Sequence, residues 1–232
     1  QTNFIINRIL HILINGFNGN MGQAIQAQCK QLDVKVSDFQ SKAIDLNNIS
    51  AVIDFSTPGG LKACISSCVE NKLPLISGTT GLTDEHFKLV SSAKKSIPIL
   101  LASNMSIGIA NLKSSIEKYL SSICIPSKCK IIEIHHTKKK DAPSGTAIEI
   151  QKFIENLPLS KVVSSIDIES LRISNIYGIH RVEFENAEGK TTFQHIANSR
   201  NIFAIGALQA ARWIKSKEIG EYSFSDFLNK KL

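Results

Sequence analysis

No apolar run in this 232-residue sequence reaches the ~18–20 residues a helix needs to cross a bilayer. The stretch 9–14 is apolar but short, and Asn15-Gly16 stops it. The opening residues lack the order of a secretory leader, so none is expected. Cysteines number only five, an odd count, and no two stand in C-x-x-C spacing. That excludes a disulfide framework and argues against a metal site, so reduced thiols in a cytoplasmic protein are expected. Cys64 and Cys68 are one helical turn apart, the spacing of a shared buried face. Internal repeats and low-complexity linkers are also missing. Acidic residues are in deficit, with 20 against 27 basic ones, which leaves a net charge of +7. Apart from Lys138, Lys139 and Lys140, the basic residues are scattered. With no basic recognition helix and no aromatic-and-basic face, neither nucleic acid nor membrane is an expected partner.

What the chain does have is apolar residues, 43% of the total, enough for a sizeable core. The first half alternates short apolar strands with helical stretches. Strands are expected at 9–14, 34–36, 51–55, 74–77 and 98–102, with helices at 20–31, 58–71 and 83–95 between them. This is the pattern of a parallel sheet covered on both faces. Near Met105 the pattern changes. A helix at 107–120, a strand at 130–135 and a helix at 145–157 are followed by strands at 162–168, 171–175, 180–185 and 191–196, with a hairpin turn at 186–190. A last helix, 202–215, is rich in Ala and Gly. The reading is α/β overall: a Rossmann-like, parallel-sheet nucleotide-binding domain from 1–105 plus 201–232, and an α+β domain with an open mixed sheet from 106–200.

After the first strand comes Gly16-Phe17-Asn18-Gly19-Asn20-Met21-Gly22. Glycines at a strand-to-helix junction permit a tight turn and close backbone approach, and the helix N-terminus then faces a pyrophosphate. The bland alternative is a tight turn with no ligand. Asn18 stands where the commoner pattern has its second glycine, and Asn tolerates left-handed backbone. Asp38, at the end of the second strand, is the candidate for an adenosine ribose. No Arg follows it, although Lys42 is near, which leans to NADH over NADPH; an ordinary strand-end Asp is the alternative. The loops 54–57, Ser77-Gly78-Thr79-Thr80-Gly81 and Ala102-Ser103-Asn104-Met105 also follow parallel strands, where ligands of such sheets bind.

The densest chemistry lies in Glu133-Ile134-His135-His136-Thr137-Lys138-Lys139-Lys140-Asp141-Ala142-Pro143-Ser144-Gly145-Thr146-Ala147. Two histidines can move protons near neutral pH. Three lysines can hold an anion. Pro143-Ser144-Gly145-Thr146 reads as a helix start, whose free N–H groups attract anions. Glu133 is read two ways, as an orienter of a histidine or as a plain strand residue. His11, His86, His195, Arg200 and Trp213 read as structural, and His180 has no role.

Together the motifs resemble the 4-hydroxy-tetrahydrodipicolinate reductases, also called dihydrodipicolinate reductases, of the lysine and diaminopimelate pathway. The resemblance runs through the glycine loop, Asp54-Phe55-Ser56, Gly78-Thr79-Thr80-Gly81, Asn104-Met105-Ser106-Ile107-Gly108 and the 133–147 motif. It continues through His195-x-Ala197-x-Ser199-Arg200-x-x-Phe203-Ala204-x-Gly206-Ala207 to Trp213. It implies hydride transfer from NADH or NADPH to a cyclic, unsaturated dicarboxylate, in a homotetramer built through the second domain's sheets. It implies His135 as proton donor and Lys139 as its partner and a substrate contact. It implies His136 as a substrate contact, and Ser144, Gly145 and Thr146 as the carboxylate grip. Gly78, Thr80 and residues Ala102, Ser103, Asn104 and Met105 would line the nicotinamide side, Met105 where the family often carries Phe, and Thr79 would be a further cofactor contact.

Overall fold

The computed structural model describes residues 10–41, 44–158 and 162–229, so Lys42 lies outside the described residues. Five short strands of the first half are joined by helices: β1 (His11–Asn15), α1 (Asn20–Gln31), β2 (Lys35–Asp38), β3 (Ala51–Asp54), α2 (Pro58–Glu70), β4 (Leu75–Ser77), α3 (Asp84–Ala93) and β5 (Pro98–Leu101). Every pairing among them is parallel. A sixth strand, β10 (Gly220–Tyr222), joins β5 at the edge, giving the order β10-β5-β4-β3-β1-β2. The chain therefore reverses its direction of travel across the sheet at β1/β3, the place where open α/β sheets bind ligands.

Local chemistry starts these helices as the sequence leads one to expect. The Thr57 side chain accepts the Gly60 N–H (3.2 Å) and Pro58 occupies the first helical position of α2. His86 folds back on Thr83, accepting its N–H at Nδ1 (3.2 Å), and its Nε2–H reaches the Pro58 carbonyl (3.1 Å). It is thus a structural histidine that ties α3 to α2. One core is built from Leu13, Val52, Leu75 and Ile99 of the sheet against Leu61, Cys64 and Cys68 of α2 and Val90 and Ala93 of α3. The Cys64 and Cys68 sulfurs lie 3.9 Å apart on that shared face, unlinked.

The other unit begins at α4 (Ile107–Ser122), which Ser106 caps by accepting the Ile109 N–H. It continues with β6 (Ser127–His135), α5 (Gly145–Glu155), β7 (Val163–Arg172), β8 (Gly178–Asn186) and β9 (Gly189–Ala197). The sheet order is β7-β6-β8-β9, with β6/β7 parallel and the rest antiparallel. Alternate residues of β6 are buried, so Cys129 and Ile131 meet Leu112, Ile116 and Leu120 of α4 and Ile150 and Ile154 of α5. The opposite face carries Lys128, Lys130, Ile132 and Ile134 and stays partly exposed. By internal contacts, the chain divides into one unit up to Met105 with Phe203 onward, and another from Ser106 to Ile202. Among the described residues no helix is long and apolar enough to cross a membrane.

One sequence expectation is corrected. The segments 162–168 and 171–175 are one strand, β7, that stays in parallel register with β6 as far as His135 and Arg172. The polar pair Glu169-Ser170 reads as a break but costs nothing on an edge strand. The tail beyond residue 215 adds β10 and α7 (Phe224–Leu228), which the sequence pattern does not show. Trp213 is half-buried, edge-on to Tyr222 (5.3 Å) and Phe227 (5.9 Å), in a side cluster formed with that tail.

Helix α6 (Asn201–Ile214) buries its small residues, and a Cβ on Gly206 would stand 1.8 Å from the Met105 carbonyl oxygen. That neighbour is backbone and cannot rotate away. Gly206→Ala should therefore cost about 1–3 kcal/mol of stability. Gly59→Ala, in α2 with open space around it, should cost nothing. Urea denaturation midpoints of the two variants check this.

Candidate active site

In the first unit, the loop after β1 turns on Gly16, whose φ is +86°. A side chain there would meet the Phe55 carbonyl at 2.4 Å, and one on Gly22 would meet the carbonyls of Gly16 and Phe17 at 2.3 and 2.4 Å. The left-handed residue is thus Gly16; Asn18 keeps ordinary backbone, contrary to the role its identity suggested. Gln26 holds the loop from α1 by donating to the Phe17 carbonyl (2.7 Å). Gly19 caps α1 with no side chain over the helix end, and no acid stands in the first turn. The end of α1 is therefore open to an anion.

Behind the loop sits Asp54, fully buried at the end of β3. Its Oδ1 accepts Asn15 Nδ2 (2.8 Å) and Ser56 Oγ (2.5 Å), and its Oδ2 accepts Ser77 Oγ (2.7 Å) and Thr79 Oγ1 (2.7 Å). One carboxylate thereby fixes the ends of β1, β3 and β4 against each other. In front of it lies a hollow of about 420 Å³, lined by Asn20, Met21, Phe55, Ser56, Gly78, Thr79, Thr80, Ser103, Met105 and Phe203. The hollow thus gathers seven of the expected cofactor residues. Gly16, Phe17, Asn18, Gly19, Asp38, Ala102 and Asn104 lie outside its lining. Asp38 is partly exposed at the end of β2 and accepts the Gln40 N–H (3.0 Å). Phe55 and Phe203 were not singled out for this pocket. Gly78 makes room for the Phe55 ring, which a Cβ would strike at 2.1 Å.

In the second unit the ends of β6, β7 and β8 build a cluster on the face that α4 and α5 cover. Glu133 and His135 are two apart on β6 and so share that face. Glu133 is fully buried. Its Oε2 takes the Nδ1–H of His135, and its Oε1 accepts Arg172 Nη2 (2.8 Å) and the Ser144 N–H (3.2 Å). Although burial alone would raise it, the bonds from Arg172, Ser170 and His135 hold Glu133 below the usual carboxylate range. Of the two readings left open for Glu133, the structure shows the orienting one.

Ser144 caps α5 by accepting the Ala147 N–H (3.2 Å) and lies 3.3 Å from His180 Nε2. The space in front of exposed Gly145 is open, and Thr146 is half-buried beside it. The rings of His135 and His180 meet edge-on, 5.2 Å between centroids. Burial lowers the pKa of both, His180 to about 3; nearby Glu133 partly offsets the effect at His135. Gly178 faces His135 Nε2, where a Cβ would stand 3.1 Å away. His136 is half-buried, with Nδ1 unpartnered. Lys139 follows a turn, and its Nζ is held by Asp141 (2.8 Å) instead of by His135. Lys138 and Lys140 are exposed. His195 opposes His180 across β8 and β9, and its ring fills the place a Cβ on Gly108 would need.

Arg172 and His180 are functional candidates that the linear sequence does not reveal. The spacing Glu133-x-His135 was legible, but Arg172 and His180 reach the cluster only through strand register. Among the described residues no group of three or more His, Cys, Asp or Glu could hold a metal ion.

A parallel sheet with an uncapped glycine loop at its reversal point, in a chain that also carries a buried acid–base cluster, defines a Rossmann-type oxidoreductase of the nicotinamide class. Residues 26–105 match the family model described as dihydrodipicolinate reductase, N-terminus, and residues 108–228 match the one described as dihydrodipicolinate reductase, C-terminus. The 4-hydroxy-tetrahydrodipicolinate reductase of Rickettsia bellii is 36% identical over 94% of each chain. That of Campylobacter lari is 38% identical over 95% of this chain and 99% of its own. The chain belongs to the dihydrodipicolinate reductase family. A dipicolinate-bound dihydrodipicolinate reductase from Paenisporosarcina sp. TG-14 shares the fold, with a TM-score of 0.73 at 20% identity over 93% of this chain and 97% of its own.

The neutral, buried His180 has a consequence for stability. Unfolded, it takes up a proton near pH 6.5; folded, it refuses one until about pH 3. The unfolded state thus binds more protons across this window, so stability falls as pH falls below 6.5, by up to about 1.4 kcal/mol per pH unit from this site. Denaturation at pH 7.5 and pH 5 should show a shallower loss in His180→Gln than in the parent.

Proposed function

We propose that this protein reduces 4-hydroxy-tetrahydrodipicolinate to tetrahydrodipicolinate, with NADH or NADPH as reductant, in lysine and diaminopimelate biosynthesis. The observation that carries the reading is the Glu133–His135 pair beside the N-terminus of α5: a proton donor next to a carboxylate grip. Family membership fixes the substrate class. The fit of a dinucleotide rests on the uncapped end of α1 and on glycines whose side chains would fill the turn. Gly16, Phe17, Asn18, Gly19, Asn20 and Met21 would hold its pyrophosphate. Gly78, Thr79, Thr80, Ala102, Ser103, Asn104 and Met105 would bound its nicotinamide, which supplies the hydride. Asp38 would take the adenosine ribose, which favours NADH.

Loss of the 4-hydroxyl as water gives the conjugated ring; hydride addition to that ring leaves negative charge, so an acid must deliver a proton. His135 does this from Nε2, because Nδ1–H is committed to Glu133. The N–H groups of Gly145 and Thr146, with the Ser144 hydroxyl, hold one carboxylate without a full positive charge, while the Ser144 N–H stays on Glu133. Lys139 leaves its exposed pair with Asp141, which costs little, to meet the anion, and His136 adds a contact. The residues 1–105 with 201–232 act as the dinucleotide-binding domain, and 106–200 as the substrate domain. The bare face of the second sheet and the exposed Ile173, Tyr177 and Ile196 support self-association there as a homotetramer.

Burial keeps His135 below its ordinary pKa and so largely neutral at pH 7, with Glu133, Lys139, Arg172 and His180 as its charged or titratable neighbours. A dianion added there favours the imidazolium. Dipicolinate binding at pH 7 should therefore take up protons, read by calorimetry in two buffers of different ionisation heat. His135→Gln should abolish the uptake.

The direct test is oxidation of NADH and of NADPH, with substrate generated in place from pyruvate and aspartate semialdehyde by the preceding synthase. Substrate-dependent oxidation supports the reading and ranks the cofactors. No oxidation by folded protein that binds NADH overturns it. His135→Ala should lower turnover by about 10²-fold or more with cofactor affinity kept, and Lys139→Ala should weaken both turnover and substrate affinity.

A further inference from the structure

Strand register delivers Arg172 beside His135, its parallel partner on β6. The guanidinium does three things there. Nη1 donates to the Leu171 carbonyl (2.7 Å), and Nη2 donates both to Glu133 Oε1 (2.8 Å) and to the Asp141 carbonyl (2.5 Å). Glu133 in turn holds His135 through Oε2 and the Ser144 N–H through Oε1. Residues 136–144, which carry His136 and Lys139, are therefore pinned at Asp141 by Arg172 and at Ser144 by Glu133. Both anchors go to backbone. The side-chain pair Lys139–Asp141 is half-exposed and readily exchanged, whereas the Glu133–Arg172 pair has a carboxylate with no exposure at all. The stiff part of the assembly is the backbone from which Lys139 reaches; the mobile part is its ammonium.

We infer that Arg172 is a positioning residue that locks the His135 tautomer, through Glu133, and the Lys139-bearing segment, through the Asp141 carbonyl, into one unit. The inference rests on the reading of His135 as proton donor. Arg172 bears on the reaction through these two partners. A planar fork can serve two acceptors at fixed angles; a lysine ammonium in its place can serve Glu133 but cannot hold the same two-point geometry.

The test combines kinetics with ¹⁵N-histidine NMR, the His135 signals being assigned by their loss in His135→Gln. In the parent, neutral His135 should carry its proton on Nδ1. Arg172→Lys should retain that tautomer and NADH affinity while turnover falls about tenfold. Arg172→Met should lose about 100-fold and also the single Nδ1–H tautomer. Should Arg172→Met fail to fold, the parent tautomer and the lysine variant still decide the matter. A parent His135 protonated on Nε2 with Nδ1 bare, or parental turnover in Arg172→Lys, overturns the inference. The underlying reading fails separately: His135→Gln with parental turnover removes the proton donor itself. A rise in substrate KM with turnover unchanged in Arg172→Lys would make Arg172 a direct substrate contact and overturn its role as a positioning residue.

Discussion

A carboxylate shut off from water has to be met by donors on both of its oxygens, because an unpaired buried charge costs several kcal/mol. Each unit of this protein is organised around one such group at the end of a strand. Asp54 collects donors from Asn15, Ser56, Ser77 and Thr79, and Glu133 collects them from His135, Arg172 and Ser144. In both places the donors come from different strands and loops, so the charge is met only when those elements are in register. The requirement for satisfaction thereby becomes a constraint on geometry. It brings Thr79 and Ser56 to the lining of the hollow in the first unit, and His135 and Ser144 together in the second. Removing either carboxylate would release several loops at once.

The parts of this arrangement that are local were legible in the sequence. The glycine loop declares itself because its turn admits no side chain at Gly16 or Gly22. Helix starts at Thr57, Thr83 and Ser144 declare themselves because capping is settled within three residues. Strand alternation puts Glu133 with His135 on one face by spacing alone. Placing Arg172 is different. Its partner Glu133 is 39 positions away, and the pairing depends on β7 running parallel to β6 in one register. Local reading broke β7 in two at Glu169-Ser170 and so lost the alignment that delivers the guanidinium. His180 was opaque for the same reason, since it lies opposite Glu133 only once β8 has paired antiparallel with β6. The tail strand β10 was missed because three residues, Gly220-Glu221-Tyr222, carry no periodicity to read.

Two touching histidines in the second unit have surroundings that treat their protons differently. His135 and His180 are both buried and their rings are in edge contact, so a charge on one opposes a charge on the other. Their second partners differ. His135 leans on an anionic carboxylate that favours the imidazolium, whereas His180 leans on the hydroxyl of Ser144, which offers no charge. Burial therefore drives His180 down to about 3, and it stays neutral at any working pH. The pair resembles other acid–base sites in which two like groups are pushed apart by their surroundings until each has one task. Here His180 shapes the end of α5 through Ser144, and His135 keeps Nδ1 tied to Glu133 with Nε2 facing the gap left by Gly178.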